Sequence, residues 1–172
     1  MDFWMETARL GFSRWRPGDV HLAKRLWGNR SVTRYISRTG EFTDEEVASR
    51  LQAEIDNHLT HGLQYWPIFQ KDSNTFVGCC GLRPYQGVGD CAELGAHLLP
   101  EYWRQGLAAE ASRAVIDHAF RRLGLRTLVA GHHPENKASE RALLRLGFVR
   151  VGGEYYPPTG LEHPSYKITR TD

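Results

Sequence analysis

The chain has 172 residues, a length that fits one domain with a sizeable hydrophobic core. Its composition, 41% hydrophobic and 24% charged, is ordinary for a globular protein, and no apolar run is long enough to predict a membrane span. The 22 Lys and Arg residues are scattered among 20 Asp and Glu residues, and the net charge is only +2. A nucleic-acid-binding protein usually concentrates its basic residues on one stripe. We therefore expect a protein that binds neither nucleic acid nor membrane.

The three cysteines predict reduced thiols and no metal centre. Cys79 and Cys80 are adjacent and make poor disulfide partners, because a bridge requires a specific Cβ geometry. No Cys-x-x-Cys or His-x-x-x-His spacing suggests a metal site, so we expect none. Residues 1–10 mix charged and apolar side chains and lack the core of a signal peptide. These features favour a cytoplasmic location.

The first part of the chain predicts one strand followed by two helices. Residues 7–15 alternate between apolar and polar side chains and are typical of a strand. Asp19 is the expected N-cap of a short helix that Gly28 ends. Thr43 and Glu46 form a capping-box pattern at the start of the second helix. The apolar residues of that helix recur every four positions: Val47, Leu51, Ile55 and Leu59.

The rest of the chain predicts further strands and two more helices. The strands are residues 65–69, 76–82, 91–99, 127–130, 148–155 and 164–169, and the helices are 106–123 and 136–147. Gly78 and Gly81 lie inside the second of these strands and indicate a bulge or close packing. Consecutive hairpins followed by alternating strands and helices predict a mixed α/β sheet covered on both faces. We expect a single domain over residues 1–172.

The turn between the strand at 91–99 and the long helix is the most informative segment. It reads Glu101-Tyr102-Trp103-Arg104-Gln105-Gly106-Leu107-Ala108. Such a turn directs backbone N–H groups towards the positive end of a helix dipole, where anions bind. Spacing alone fits an ordinary strand-to-helix turn equally well. No Lys-Ser or Lys-Thr follows the glycine and the three-glycine pattern is missing, which excludes a P-loop and a dinucleotide fingerprint.

This turn resembles the signature of the GNAT superfamily of acetyl-coenzyme A-dependent N-acetyltransferases. Its residues 101–103 and 106–111 resemble the branch that contains the ribosomal-protein N-terminal acetyltransferases. A second motif, Asn-Lys-Ala-Ser-Glu-Arg at 136–141 with Leu-Gly-Phe at 146–148, lies at the expected distance downstream. Trp103 stands where the general superfamily pattern has Gln or Arg, a substitution that is usual in this branch.

The resemblance extends over residues 7–169 and implies a GNAT-like fold. That fold has a mostly antiparallel, twisted sheet of about seven strands with about four flanking helices. It also implies that the strands at 93–99 and 127–130 splay apart.

The resemblance implies that acetyl-coenzyme A is the cosubstrate. In the family, backbone N–H groups of this turn hold the pyrophosphate, and the pantetheine arm enters the gap between the splayed strands. The arm would pair with the backbone near Leu98 and Leu99, with Asn136 bonding it from the other side. A structural role for Asn136 as a helix N-cap is compatible with this. The residues implied for the pyrophosphate are Arg104, Gln105, Gly106, Leu107 and Ala108.

Acetyl transfer requires a neutral amine, whose free pKa is near 10, so a base must remove a proton. Strand alternation places Glu93, Gly95 and His97 on one face. Glu93 lies where the family often carries a catalytic carboxylate, and His97 is a second candidate base. Ser139 is a candidate to protonate or orient the leaving thiolate. Each has a structural alternative: a hydrogen-bond acceptor, a packed histidine and an ordinary first-turn serine, respectively.

The sequence thus predicts an N-acetyltransferase that moves an acetyl group from acetyl-coenzyme A directly to a primary amine, either a peptide N-terminus or a small amine. The alternative is a non-catalytic acyl-coenzyme A-binding sensor on the same fold. The segments expected to line the acceptor cleft are 65–67, 83–88 and 155–163.

Charge in these segments bears on the acceptor. Glu162 is their only carboxylate, and we place Glu45, Glu46 and Glu54 on the solvent side of their helix. This composition favours a peptide or an aryl-bearing amine over spermidine. Homodimer formation is left open.

Overall fold

The computed structural model describes residues 2–87 and 89–171, which form one sheet with helices packed against it. The strands are β1 (Met5–Glu6), β2 (Leu10–Phe12), β3 (Tyr65–Gln70), β4 (Thr75–Pro84), β5 (Cys91–Leu98), β6 (Thr127–Gly131), β7 (Val149–Tyr156) and β8 (Leu161–Thr169). The helices are α1 (Val20–Trp27), α2 (Arg30–Thr33), α3 (Asp44–His61), α4 (Leu107–Arg121) and α5 (Lys137–Arg145). Val88, the end of the predicted 83–88 segment, lies outside the described residues, as do both ends of the predicted 1–172 domain.

The sheet is mixed and opens at one pair of strands. Its order is β1-β2-β3-β4-β5-β6-β8-β7, and every neighbouring pair is antiparallel except β5 and β6. The parallel β5–β6 pairing is limited to three residues of each strand, 91–93 with 127–129. Beyond Glu93, β5 continues to Leu98 beside β4 alone. The expected splayed pair in a mostly antiparallel sheet is therefore confirmed.

Helices cover both faces of this sheet, as expected. Buried side chains of α4 and α5 form one hydrophobic cluster with the sheet, and those of α1 and α3 form the other. Burial of these apolar faces is the main source of stability for such a layered fold. No helix in the described part of the chain is long and apolar enough to cross a membrane.

The predicted first strand, residues 7–15, is wrong in detail. Thr7 reverses the chain between β1 and β2: its N–H donates to the Leu10 carbonyl at 2.8 Å, and its hydroxyl accepts from the Leu10 N–H at 2.9 Å. Asp19 occupies the predicted N-cap position of α1 but makes no capping hydrogen bond with its side chain, because its carboxylate accepts from the Arg16 N–H at 2.8 Å. The short helix α2, capped by Asn29, was not predicted.

Helix α3 begins and ends as predicted but presents a different face to the core. The Thr43 and Glu46 capping box is present, and Gly62 ends the helix with a φ of 70°. Leu59, expected on the buried face, is 77% exposed, whereas Glu54 is 0% exposed. Placing Glu54 on the solvent side was therefore wrong. Val47, Leu51 and Glu54 share one face at i, i+4 and i+7.

Close packing explains both glycines of β4. A Cβ at Gly78 would collide with the His97 carbonyl on β5, and one at Gly81 would collide with the Gln64 carbonyl. The β3–β4 register also shifts between Ile68 and Phe69. The predicted bulge and the predicted close packing are both confirmed.

Candidate active site

The turn before α4 presents backbone N–H groups without internal partners. After a 3₁₀ turn at Pro100–Tyr102, the backbone is left-handed at Arg104, with a φ of 60°, and at Gly106, with a φ of 76°. Left-handed residues in a turn direct successive N–H groups into one concavity. Among the residues that the structure describes, none accepts a hydrogen bond from the N–H groups of residues 104–108. The turn thus fits the anion site expected from the sequence.

Arg9, near the N-terminus, holds this turn in place through hydrogen bonds. Its Nη1 donates to the Gln105 carbonyl at 3.0 Å, and its Nε donates to Glu110 on α4 at 2.6 Å. The Thr7 hydroxyl adds a second bond to Glu110 at 2.6 Å. Sequence reasoning missed these anchors, because they join residues about 100 positions apart. No local pattern could have indicated them.

The gap between β5 and β6 begins at Glu93. Ala96 is the exposed residue of β5, in the stretch that β6 no longer covers. Leu98 and Leu99 lie at the end of this stretch, but their backbone is already in use. The Leu98 carbonyl accepts from the Trp103 indole at 2.7 Å, and the Leu99 N–H donates to Val77 at 2.9 Å. The free edge of β5 is thus the part before Leu98.

Asn136 and Ser139 lie on the far side of the gap, where α5 begins after β6. The Asn136 side-chain oxygen accepts from the Ser139 N–H at 3.2 Å, so the predicted N-cap is present. Ser139 is half-buried, and its hydroxyl has no hydrogen-bond partner among the described residues. The hydroxyl is therefore free to form a hydrogen bond with a ligand.

Glu93 lies at the last paired position of β5 and β6, where the strands diverge. The Tyr65 hydroxyl donates to its Oε1 at 2.6 Å. Burial, followed by the nearby Glu93 charge, raises the pKa of Tyr65 well above its usual value, so the phenol stays a donor. Gly95 provides the space for the Tyr65 ring, since a Cβ there would collide with it. Glu93 is thus half-buried and oriented, with Oε1 bonded to Tyr65.

The ion pair between Arg83 and Glu54 contacts Tyr65 through both of its members. Arg83, which lies opposite Glu93 on β4, places its guanidinium 4.0 Å from the centre of the Tyr65 ring. Its Nε donates to the Glu54 Oε1 at 3.0 Å, and its Nη2 makes a second contact. The other oxygen of Glu54 accepts from the Tyr65 N–H at 2.8 Å. The i, i+4, i+7 spacing of Val47, Leu51 and Glu54 is the sequence signal that could have revealed this arrangement.

His97 lies on the same face as Glu93, as strand alternation predicts, but it is packed. The Trp27 indole donates to its Nδ1 at 3.2 Å, which leaves the proton of a neutral ring on Nε2. Burial, together with the charges of Arg50 and Arg83, lowers the pKa of His97 well below its usual value. The ring is neutral, and its acceptor nitrogen is already bonded.

A row of contacting aromatic rings includes Tyr156 and His163 of the predicted cleft segment 155–163. Tyr35, in the segment between α2 and α3, packs against His133 in a tilted arrangement with centroids 5.0 Å apart. His133 contacts His163 on β8 at 5.7 Å, and Tyr156 contacts His163 at 4.6 Å. Glu154, just before the predicted 155–163 segment, accepts from Tyr85 at 2.9 Å. The cleft therefore has a carboxylate at its border in addition to the exposed Glu162.

A surface groove lies elsewhere, near the β3–β4 turn. Its volume is about 710 Å³, and its lining includes Arg14, Phe69 and Phe76. None of the predicted catalytic or cofactor-binding residues lines it, although Pro67 of the predicted cleft segment 65–67 does. We place the candidate active site at the strand divergence, because the oriented carboxylate is there and the turn with the free N–H groups follows the end of the same strand.

Comparison with known proteins shows which family the chain resembles. The family described as an acetyltransferase (GNAT) domain matches residues 9–149. The uncharacterized N-acetyltransferase YoaA of Bacillus subtilis is 29% identical over 148 residues, 86% of this chain and 84% of that protein. The ribosomal-protein-serine acetyltransferase of Escherichia coli is 24% identical over 110 residues, 64% of this chain and 60% of that protein.

A solved structure has the same fold. It is RimL, a ribosomal L7/L12 α-N-protein acetyltransferase, in complex with coenzyme A. It superimposes with a TM-score of 0.81 at 19% identity and covers 98% of each chain.

Proposed function

The chain belongs to the GNAT acetyltransferase family, and we propose that its acceptor is the α-amino group of a peptide and that Glu93 is its catalytic base. As a member of this family it is an acetyl-coenzyme A-dependent N-acetyltransferase, and its relatives include ribosomal-protein acetyltransferases. The resemblance inferred from the two sequence motifs is thereby confirmed. One observation carries the proposal: a carboxylate held by Tyr65 at the point where β5 and β6 diverge.

The residues around the gap fit coenzyme A. The unpartnered N–H groups of Arg104, Gln105, Gly106, Leu107 and Ala108 would hold its pyrophosphate at the positive end of α4. Its pantetheine arm would follow the free edge of β5 towards Leu98 and Leu99, with Asn136 on the opposite side. Because both leucines already bond within the chain, the pairing would fall mainly on the residues just before them.

In the proposed reaction, the amine nitrogen attacks the carbonyl carbon of the thioester. The C–N bond forms, the C–S bond breaks, and the amine proton passes to Glu93, directly or through one water molecule. Oε1 of Glu93 is bonded to Tyr65, so Oε2 is the oxygen that would receive the proton. Ser139, whose hydroxyl lacks a partner in the described residues, would donate a hydrogen bond to the departing thiolate. No acetylated protein intermediate is required.

Glu93 is a better candidate than His97 for geometric reasons. The Nδ1 of His97 accepts from Trp27, and its pKa is lowered by burial and by two arginines. The structural alternative for His97, a packed histidine, explains each of these contacts. Glu93 also serves as an acceptor, but only one of its two oxygens is engaged by Tyr65.

Composition of the cleft and the names of relatives support a peptide acceptor. Aromatic and imidazole rings of Tyr35, His133, Tyr156 and His163 form one wall. Glu54, which could otherwise attract a polyamine, is neutralised by Arg83. Two relatives are named for the acetylation of ribosomal proteins. A flexible polycation would need several unpaired carboxylates in such a cleft.

The test is an acceptor screen in which products are identified by mass spectrometry and released coenzyme A is measured in parallel. We expect short peptides and aryl-bearing amines to be acetylated faster than spermidine at equal concentration. Spermidine as the best acceptor would contradict the proposed acceptor class. Binding of acetyl-coenzyme A with no release for any amine would favour the non-catalytic sensor instead. Cytoplasmic location and homodimer formation stay predictions.

A further inference from the structure

Arg50 is a half-buried cation that the proposed reaction does not use. It lies on α3, four residues before Glu54 and therefore on the same face. Its guanidinium is 5.1 Å from the centre of the Trp27 ring and 5.5 Å from that of Phe42. Its Nε is buried without a hydrogen-bond partner, and no carboxylate in the described residues forms an ion pair with it. The aromatic rings hold the guanidinium but do not neutralise it.

The carboxylate one turn after Arg50 along the helix is already committed. Glu54 bonds Arg83 through Oε1 and the Tyr65 N–H through Oε2. Burial and the like charge of Arg83 lower the pKa of Arg50, which shows how poorly its charge is compensated. An arginine stays protonated even so. An anion from outside the chain would supply the missing hydrogen bonds and charge.

The segment between α2 and α3 is also basic. Arg34 and Arg38 are exposed on the segment between α2 and α3, and neither forms an ion pair within the described residues. The Arg34 guanidinium lies 4.5 Å from the centre of the Tyr35 ring, which is part of the cleft wall. Arg38 lies against the β7–β8 turn at Gly160. A negatively charged acceptor entering between these segments would meet the three arginines on one side.

We propose that Arg50 binds a carboxylate of the acceptor, so that the preferred peptides carry an acidic side chain within their first few residues. This inference rests on the proposed function and narrows its substrate class. The peptide amine would face Glu93 while the acidic side chain bonds the guanidinium of Arg50. The net charge of +2 does not reveal this preference, because it sums over the whole chain, whereas the preference depends on the single guanidinium of Arg50.

The test uses matched peptides with amidated C-termini that differ only by Asp or Asn, or by Glu or Gln, at the second or third residue. For the parent protein, we expect kcat/KM for the better acidic peptide to exceed that of its amide partner by roughly tenfold to a hundredfold, as for a charge-assisted hydrogen bond. In Arg50→Gln the ratio should fall to about one, and Arg50→Lys should retain part of it. Arg113→Gln, an exposed arginine on α4, is the matched control and should keep the parent ratio.

The ratio of kcat/KM between acidic and amide peptides, measured in the parent protein, can overturn the inference by itself. This holds even if the Arg50 variants do not fold. Equal rates for all acidic and amide partners in the parent would overturn it while leaving the proposed function intact. An acidic preference that survives in folded Arg50→Gln would also overturn it, because the carboxylate would then bind elsewhere. No acetylation of any peptide, with small amines acetylated instead, would remove the proposed function and this inference together.

Discussion

At the scale of single residues, the site depends on how one carboxylate is held. Tyr65 donates to Glu93, Arg83 lies over the Tyr65 ring, and Glu54 binds both Arg83 and the Tyr65 backbone. Both oxygens of Glu54, the Arg83 guanidinium and the Tyr65 hydroxyl all have partners, and such hydrogen bonding rigidifies a network. Glu93 is thereby fixed in orientation before any ligand binds. An oriented base needs less reorganisation during the reaction.

Ser139→Ala tests the group assigned to the thiolate. Alanine is a good helix former and keeps the backbone N–H that bonds Asn136, so α5 should remain intact. We expect the rate of acetyl transfer to fall by about tenfold or more, the value of a hydrogen bond to a charged group. Steady-state kinetics beside urea unfolding would separate the chemical effect from a folding defect. A rate equal to that of the parent would make Ser139 an ordinary first-turn serine.

A site residue could be found from the sequence only where the residues that define its role are close to it along the chain. Glu93, Asn136 and Ser139 lie in or beside motifs, so their positions follow from the resemblance. Tyr65 and Arg83 act through contacts between different strands, and no local spacing reveals them. Glu54 was misplaced, because the apolar repeat was continued to Leu59, which is exposed.

At the scale of elements, the turn before α4 combines a helix N-terminus with two left-handed residues. The glycine at 106 meets no close contact within the chain: a Cβ there would lie 3.6 Å from the Arg9 Nη2. Its φ of 76° is the reason for glycine in this structure, since left-handed backbone is costly for other residues. Arg104 adopts a φ of 60° as a non-glycine residue. The left-handed backbone at residues 104 and 106, more than packing against the rest of the chain, therefore determines the shape of this turn.

Gly106→Val should therefore weaken acetyl-coenzyme A binding much more than Arg104→Ala. Valine in the left-handed region costs at least about 1–2 kcal/mol, and its side chain would project beside the N–H groups. We expect a loss of affinity of about tenfold or more in calorimetry. Arg104→Ala, which leaves the backbone N–H in place, is the matched control. Unchanged affinity in a folded Gly106→Val variant would rule out this position for the pyrophosphate.

Most elements could be predicted, but their details could not. The capping box of α3 and the long helix α4 follow from local patterns that the structure keeps. The turn at Thr7 was read as part of a strand, because its hydrogen bonds depend on Leu10 and Glu110. Helix α2 has four residues, too few for a periodic pattern. Short elements are defined by tertiary contacts that a sequence window does not contain.

At the scale of the whole molecule, buried histidines link stability to pH. Burial, then the charges of Arg50 and Arg83, lowers the pKa of His97, while burial and the neighbouring His133 and His132 lower that of His163 to about 4. An unfolded histidine has a pKa of about 6.5. Below that pH the unfolded chain binds protons that the folded chain does not, so the free energy of unfolding decreases towards acid.

Urea unfolding between about pH 7 and about pH 5 tests this dependence. We expect stability to fall as the pH is lowered, and the fall to be smaller in His163→Gln. His21→Gln, at an exposed position, is the control and should leave the pH dependence as it is in the parent. A free energy of unfolding that stays constant or rises towards pH 5 would be inconsistent with neutral, buried histidines.

Glu93→Gln is the most direct test of catalysis at the divergence of β5 and β6. Glutamine keeps an oxygen for the Tyr65 hydroxyl but cannot take a proton from the amine. We expect turnover to drop roughly 10²–10⁴-fold, with acetyl-coenzyme A affinity kept and the acidic limb of the pH–rate profile lost. Tyr65→Phe, which removes only the hydrogen bond, should keep that limb. If the limb survives in Glu93→Gln and disappears in His97→Gln, the base is His97 and the role assigned to Glu93 is wrong.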